Sequence, residues 1–262
     1  MLEQTPIRKK IAAGQPVIGT WNTLASPLLT EVMAKAGYDF QIIDMEHGPF
    51  VLGSVHQFVS ACEGTTQCSP LVRIPANEEW MALQAMDQGA HGVVVPHIQD
   101  QASAARLARM IKYHPEGKRG FTPFSKAGGF TNRSVTSYVA TANREGLGVA
   151  IVESRAGLEQ VEEIAAQDGI DVIYFGAYDL SQDLGYPGDV RNSEVVRAIR
   201  GGVDVVSRQG KYAGGFVPQS LDDVKWLLEM GMRFITYDVD CSTVFRSVSG
   251  VTEWFASETG RT

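Results

Sequence analysis

A histidine and two acids follow one another at the end of an apolar stretch, and side chains of these types can move a proton or hold a cation. In "QIIDMEHGPF", residues 41–50, Asp44, Glu46 and His47 close the stretch around a Gly-Pro turn. Charged groups at the edge of a core raise its free energy unless they are paired or used. Histidine changes its charge near neutral pH and often carries protons in catalysis. The stretch is therefore a candidate catalytic corner.

Three further polar residues fall at or near the ends of other apolar stretches. Arg73 lies in "SPLVRIP", Glu153 in "LGVAIVES" and Asp179 in "DVIYFGAYDL". Arginine presents a permanently charged planar fork, which suits a carboxylate or the oxygen of an enolate. Glu153 and Asp179 have no cysteine or histidine cluster beside them in the sequence. Two such carboxylates favour a hard divalent ion, Mg²⁺, Mn²⁺ or Co²⁺, as the cofactor.

The residues before Asp179 predict an anion-binding turn. In "FGAYDLS", Gly176, Ala177 and Tyr178 lead up to the aspartate. Because glycine allows a close backbone turn, we expect the N–H groups just before and at Asp179 to face an anion.

Each of these residues also has a structural interpretation. A single carboxylate at a strand end is commonly a helix N-cap. Arg73 alone would suit an ion pair at a rim, and His97, in "VPHI", is interpreted as a packed or loop histidine. Independent caps have no reason to fall on consecutive strands at one end, so the joint pattern favours a site.

The elements that must position these residues alternate regularly along the chain. Apolar β-type stretches are each followed by a helical pattern, which predicts an α/β fold with a parallel sheet. Eight such units describe one (β/α)8 TIM barrel spanning residues 1–262, whose chemistry sits at the C-terminal ends of its strands. The predicted strands are 16–22, 39–46, 69–75, 91–98, 147–154, 171–180, 211–218 and 233–239.

Two segments fall outside the alternation. Residues 113–133 predict a long loop after the fourth βα unit, followed by an extra helix over 134–146. A C-terminal helix carries Trp254 and Phe255 with few later residues to cover them, and exposed aromatics of this kind mark interfaces. We therefore expect this helix to serve in oligomerisation.

The composition and net charge of the chain indicate which kinds of binding partner to expect. The chain has 262 residues, 44% of them hydrophobic, and a net charge of −7. No basic block is present and the apolar runs are short, so we expect neither nucleic acid nor a membrane as a partner. Three cysteines without metal-ligand spacing suit a reducing cytoplasm.

Taken together, the motifs resemble a known family. "IIDMEHGPF", "LVRIPANEEW", "AMDQGAHGVVVPHIQD", "IVESRAG" and "YFGAYDLSQDLGYPG" are similar to the HpcH/HpaI aldolases, which are metal-dependent class II pyruvate aldolases such as 4-hydroxy-2-oxoheptanedioate aldolase and 2-dehydro-3-deoxyglucarate aldolase. The resemblance runs from about Gly19 to Val244. It implies reversible cleavage of a 4-hydroxy-2-oxo acid to pyruvate and an aldehyde, through a metal-bound pyruvate enolate.

At the catalytic corner we expect Asp44 and Glu46 to hold His47 and metal-bound waters in place. The resemblance also implies a role for each matching residue: His47 is the expected base, and Arg73 the stabiliser of the transition state. Glu153 and Asp179 are the expected metal ligands, and the backbone at Gly176, Ala177 and Tyr178, together with Arg73, the expected contact with the substrate carboxylate. Two positions depart from the family: Ile151 stands where glutamine is usual, and Ala177 where proline is usual.

Asp87, in "AMDQGA", matches an aspartate that raises the basicity of the histidine. It falls at the end of the third barrel helix, which lies at the opposite end of the barrel from His47. If it serves His47, it does so from a neighbouring chain. We therefore expect a homo-oligomer, a hexamer by the resemblance, with a shared active site.

Two other functions remain open at this point. A lyase acting on CoA thioesters, like the citrate lyase β subunit and malyl-CoA lyase, shares the barrel and the carboxylate pair, although those relatives typically carry an aspartate at the position of His47. A non-catalytic barrel that binds an oxo acid is the other alternative. "AGGF", residues 213–216, weakly suggests a phosphate site, but we interpret Gly214 and Gly215 as giving room to the substrate.

Overall fold

Eight parallel strands close into a barrel in the order in which they occur along the chain. The computed structural model describes residues 4–65, 67–131 and 135–261. The predicted TIM barrel is confirmed. The strands are β1 (Val17–Asn22), β2 (Phe40–Asp44), β3 (Ser69–Arg73), β4 (Gly92–Val95), β5 (Leu147–Val152), β6 (Val172–Phe175), β7 (Tyr212–Gly215) and β8 (Phe234–Val239).

Helices surround the barrel. Most follow a strand, and several begin where a serine, asparagine or aspartate side chain accepts a hydrogen bond from the first turn. Within the described residues they are α1 (Pro6–Ala12), α2 (Pro27–Ala36), α3 (Leu52–Glu63), α4 (Glu79–Asp87), α5 (Gln101–Ile111), α6 (Val135–Glu145), α7 (Arg155–Glu159), α8 (Val161–Ala165), α9 (Ala177–Asp183), α10 (Ser193–Arg208), α11 (Leu221–Met230) and α12 (Asp240–Thr259).

Side chains along each strand point alternately into the barrel and outward toward the helices, which divides the core into two layers. On β5, Val149 and Ile151 belong to a cluster inside the barrel, whereas Ala150 and Val152 pack outward against the helices. Near-continuous apolar strands are therefore required, because both faces of each strand are buried. Ile7 of α1 is fully buried and closes the barrel at the N-terminal ends of the strands.

The long loop after α5 lies at the closed end of the barrel, not over the open one. Lys126 contacts Ser60 and Glu63 at the end of α3, and the amide of Ala127 donates to the carbonyl of Asp87. The extra helix predicted over 134–146 is α6. Residues 132 and 133 of the predicted loop lie outside the described residues.

In the described part of the chain, no helix is both long enough and apolar enough to cross a membrane.

Candidate active site

A cavity of about 290 Å³ opens at the C-terminal ends of the strands. It brings together every predicted site residue except Asp87, although these residues come from separate stretches of the sequence. Its lining consists of Trp21, Thr23, Asp44, His47, Arg73, Ile151, Glu153, Tyr174, Gly176, Ala177, Tyr178, Asp179, Phe216, Val217 and Val239. The structure thus brings these predicted residues together at the face where barrel chemistry gathers.

Asp44 organises the corner at the end of β2. Its side chain is buried, and Oδ1 accepts hydrogen bonds from the amides of Glu46 at 3.0 Å and His47 at 3.2 Å. Both of its oxygens also accept from Arg73, with Nε 2.7 Å from Oδ1. One carboxylate thus fixes the turn that carries His47 and the guanidinium on the next strand.

Arg73 is held on three sides. Besides the bidentate contact with Asp44, its Nη1 lies 3.0 Å from Glu46, and its guanidinium carbon lies 4.4 Å from the centre of the Trp21 ring. Burial opposes its charge, but hydrogen bonding and attraction to Asp44 and then Glu46 outweigh burial and raise the pKa of Arg73 above its usual value. A fixed cation therefore lies at the floor of the cavity.

His47 differs from these neighbours because its side chain is exposed. Only its backbone amide is tied down, by Asp44. Among the residues that the structure describes, its imidazole has no hydrogen bond or ion pair, and the residue lines the cavity. This geometry suits a group that exchanges protons with a bound molecule.

Glu153 follows β5 and is largely buried. Its Oε1 lies 2.7 Å from both the backbone nitrogen and Nδ1 of His97. Burial raises the pKa of Glu153; the His97 amide counteracts this rise, while the Asp179 and Glu46 carboxylates add to it. Mutual repulsion between carboxylates of this kind is relieved by a bound cation.

The contact with His97 was missed by the sequence interpretation, which treated this residue as a packed or loop histidine. His97 adopts a left-handed backbone, with φ of 56°. This conformation brings the amide and the ring of one residue to the same oxygen. The position of His97 after an apolar stretch was a signal, but nothing in the sequence indicated the backbone conformation.

The sixth strand is shorter than predicted. It ends at Phe175, and Asp179 lies in the first turn of α9 rather than in a strand, because the amide of Leu180 bonds to the carbonyl of Gly176 and Leu180 is buried. The first amides of a helix have no intrahelical acceptor. Those of Ala177 and Tyr178 are therefore directed at the cavity end of α9, whereas the amide of Gly176 bonds to Val152.

Gly176 contributes space. A Cβ built on it would lie 2.7 Å from Cβ and 3.1 Å from Oε2 of Glu153, closer than real side chains approach. Glu153 therefore lies against the bare backbone from which Asp179 follows. A cradle that a Cβ would fill, lined by hard oxygen donors, fits a divalent cation with water as further ligands. Within the described residues, no group of three or more histidine, cysteine, aspartate and glutamate side chains is arranged around one point.

One wall of the cavity is apolar. Ile151 is buried beside Trp21 and Tyr174. The Tyr174 hydroxyl donates to the carbonyl of Phe216 at 2.8 Å, and burial raises the pKa of this phenol. The ring therefore stays neutral, and this wall offers packing rather than charge.

The prediction that Gly214 and Gly215 give room to the substrate is wrong. A Cβ on Gly214 would meet the carbonyl of Phe234 at 2.5 Å, and one on Gly215 would meet that of Phe175 at 2.6 Å. The two glycines allow β7 to approach its neighbouring strands, and the cavity wall begins at Phe216.

Asp87 lies elsewhere. It ends α4, its carboxylate accepts from Arg119 Nη2 at 2.7 Å, and it lines a separate shallow cavity with His56, Lys126 and Phe130. The end of α4 leads to the N-terminal end of β4, so Asp87 and His47 lie at opposite ends of the same barrel. One chain does not bring these two residues together.

Comparisons with known proteins identify the family to which this barrel belongs. The sequence profile of the family described as HpcH/HpaI aldolase/citrate lyase matches residues 17–247. This match spans the barrel from β1 to α12. The chain belongs to the HpcH/HpaI aldolase/citrate lyase family. The resemblance found in the sequence is thereby confirmed, and so is the enzyme class at the level of the family, a carbon–carbon lyase of the pyruvate aldolase type.

Individual relatives cover nearly the whole chain. A hydroxypyruvate/pyruvate aldolase of Roseovarius nubinhibens is 33% identical over 236 residues, 89% of this chain and 90% of the relative. A 5-keto-4-deoxy-D-glucarate aldolase of Salmonella paratyphi A is 31% identical over 94% of both chains. The crystal structure of a family member from Burkholderia cenocepacia J2315 superposes with a TM-score of 0.90 at 30% identity, over 96% of this chain and 99% of that one.

Proposed function

We propose that the protein is a divalent-metal-dependent aldolase that reversibly cleaves a 4-hydroxy-2-oxo acid to pyruvate and an aldehyde. The observation that carries the proposal is the convergence of a carboxylate pair, a buried arginine and a free histidine on one cavity of the barrel mouth. Family membership and the named aldolases among its relatives support the same reaction.

Glu153 and Asp179 are the proposed metal ligands. Their oxygen donors, the space at Gly176 and the repulsion felt by Glu153 suit Mg²⁺, Mn²⁺ or Co²⁺. The bound ion would act as a Lewis acid toward the 2-oxo group of the substrate. The protein's own residues perform the remaining steps.

The 2-oxo acid is oriented by the opposite side of the cavity. The backbone amides of Ala177 and Tyr178, at the first turn of α9, are the proposed donors to the substrate carboxylate. Arg73 is the proposed partner of the oxygen that gains negative charge when the bond between C3 and C4 breaks. Because Asp44 and Glu46 hold its fork in place, little reorganisation accompanies that step.

His47 is the proposed base. Its free imidazole would accept the proton of the C4 hydroxyl during cleavage and return it during addition. Among the described residues, the cavity lining includes no lysine. Lys126, the nearest candidate in the sequence, instead pairs with Glu63 at the closed end of the barrel. A Schiff-base route would need a lysine at the carbonyl carbon, so this arrangement favours the metal-dependent route.

Asp87 is the proposed partner of His47 from a neighbouring subunit. The imidazole has no partner among the described residues of its own chain, and Asp87 lines a surface cavity together with Phe130, which is 67% exposed; Phe124, in the same loop, is equally exposed. These aromatics would pack against another copy of the chain. The helix α12 supports assembly independently, because Val244, Val248, Val251 and Phe255 form an exposed apolar stripe along it. We propose a closed homo-oligomer, a hexamer by family resemblance, with shared active sites.

Exchange of the pyruvate methyl protons in deuterated water tests the proposal without requiring the right aldehyde. We expect exchange, followed by NMR, with Mn²⁺ or Mg²⁺, and its loss after chelation. Returning the metal should restore it. Full exchange in a metal-stripped preparation would contradict the metal-dependent mechanism.

A further inference from the structure

His97 is tied to the candidate metal site by an unusual pair of contacts. Its backbone nitrogen and its Nδ1 both lie 2.7 Å from Oε1 of Glu153. A left-handed backbone is uncommon for a residue with a Cβ and persists only where the surroundings hold it. In this conformation the amide and the ring of His97 both reach the same oxygen of Glu153.

The other oxygen of Glu153 faces a different neighbour. Oε2 lies over Gly176, where a Cβ would approach to 3.1 Å, and Asp179 follows three residues later. His97 thus occupies Oε1, and Oε2 remains on the side of the second carboxylate. A carboxylate held in this way presents one defined oxygen to a cation.

We propose that His97 is a positioning residue that orients Glu153 for metal binding; this inference rests on the metal site of the proposed function. Nδ1 is already in contact with Oε1 of Glu153, so this nitrogen is not free to approach a metal ion. Nε2 lies 3.7 Å from Glu46, on the far side of the ring. His97 therefore acts through Glu153, as residues that hydrogen-bond metal ligands do.

The role can be separated from backbone strain by the choice of substitutions. His97→Ala removes the ring contact with Glu153 but keeps the backbone amide. His97→Gly removes the same contact and also relaxes the left-handed backbone. His97→Asn places an amide nitrogen where Nδ1 stands and tolerates the left-handed conformation. His114→Ala is a matched control, because this exposed histidine after α5 lines neither the cavity of the barrel mouth nor the one at Asp87.

Titration with Mn²⁺ alone, followed by the EPR signal of the free ion, measures the affinity without any turnover. We expect His97→Ala and His97→Gly to bind Mn²⁺ about 10- to 100-fold more weakly than wild type. His97→Asn should recover most of the affinity, and His114→Ala should equal wild type. Circular dichroism should confirm that each variant is folded.

Three results would overturn the inference. Unchanged affinity in His97→Ala would remove any positioning role, and weak binding in His97→Ala that His97→Gly restores would assign the effect to strain. Pulsed EPR of the Mn²⁺-loaded wild type should show no ¹⁴N coupling from this ring; a coupling that His97→Ala abolishes would make His97 a direct ligand. Failure of the wild type itself to bind Mn²⁺ would instead contradict the proposed function.

Discussion

Substitutions of Arg73 and of His47 should impair different steps of the proposed reaction. Arg73→Ala takes away the cation beside the developing enolate, so both proton exchange and aldol cleavage should fall by about 10²-fold or more. Arg73→Lys keeps the charge but loses the fork that Asp44 and Glu46 hold, so it should restore little. The exchange assay and a cleavage assay with a 4-hydroxy-2-oxo acid measure the two steps separately.

His47→Ala completes this comparison. It should reduce cleavage while leaving Mn²⁺ and pyruvate binding near wild type, since the imidazole touches neither carboxylate ligand among the described residues. Loss of Mn²⁺ binding in this variant would show that His47 belongs to the metal site, contrary to the role proposed here.

Ile151 gives a second prediction for a single residue. It is 2% exposed and forms the apolar wall beside Trp21 and Tyr174. Ile151→Gln supplies an amide donor within the cavity lining, so pyruvate should bind as tightly as in wild type or more tightly. Ile151→Met, a control of similar volume without the amide, should leave binding unchanged. A large loss of pyruvate affinity in Ile151→Gln alone would show that the wall must remain apolar.

The turn from β6 into α9 places Asp179, one of the two proposed metal ligands, close to the backbone on which the other, Glu153, packs. Gly176→Ala would push a methyl group to 2.7 Å from Cβ of Glu153. We expect a folded protein with weakened Mn²⁺ affinity, measured by the same EPR titration. Gly201→Ala is the matched control, because its position inside α10 is open to a methyl group and alanine favours a helix by about 1 kcal/mol. Equal Mn²⁺ affinity in the two variants would show that the space at Gly176 is not needed.

The elements also show what the sequence could and could not predict. Strand positions followed from runs such as Leu147–Val152, which are apolar on both faces, and the barrel rule then placed the ends of the strands together. The turn at Gly176 was read as strand because Ala177 and Tyr178 continue the apolar run. Hydrogen bonding across the turn, which is not visible in composition, ends β6 there. For the same reason, the contact of His97 with Glu153 could not be predicted from the sequence.

The positions of charged residues at the ends of strands could be predicted from the sequence. The hydrogen bonds that these residues make with one another could not. His47, Arg73 and Glu153 were identified from their positions after apolar runs. Asp44 was expected to hold His47, but its contact with Arg73 could not be predicted from spacing, because it depends on the register between β2 and β3, in which Asp44 stands opposite Arg73.

At the scale of the whole molecule, the two ends of the barrel have different surfaces. The mouth carries the proposed site, while the closed end carries the long loop, the Asp87–Arg119 ion pair and exposed aromatic side chains. Within one chain, Asp87 and His47 lie at opposite ends of the barrel. In a ring of chains, Asp87 of one chain could lie beside His47 of the next. In the proposed homo-oligomer, assembly would complete the catalytic unit, so a dissociated subunit should be inactive although its barrel is folded.

Complementation between two inactive variants tests this directly. His47→Ala keeps Asp87, and Asp87→Asn keeps His47 with an isosteric side chain beside Arg119. Each variant reassembled alone should be inactive. When the two are unfolded together in equal amounts and reassembled, roughly a quarter of the sites in a closed ring should pair an intact His47 with an intact Asp87 from the neighbouring chain. The double variant mixed with either single variant is the control, because no interface can then unite both groups. Aldol cleavage that stays absent from a properly reassembled mixture, or that a monomer supports in full, would show that the site is not shared.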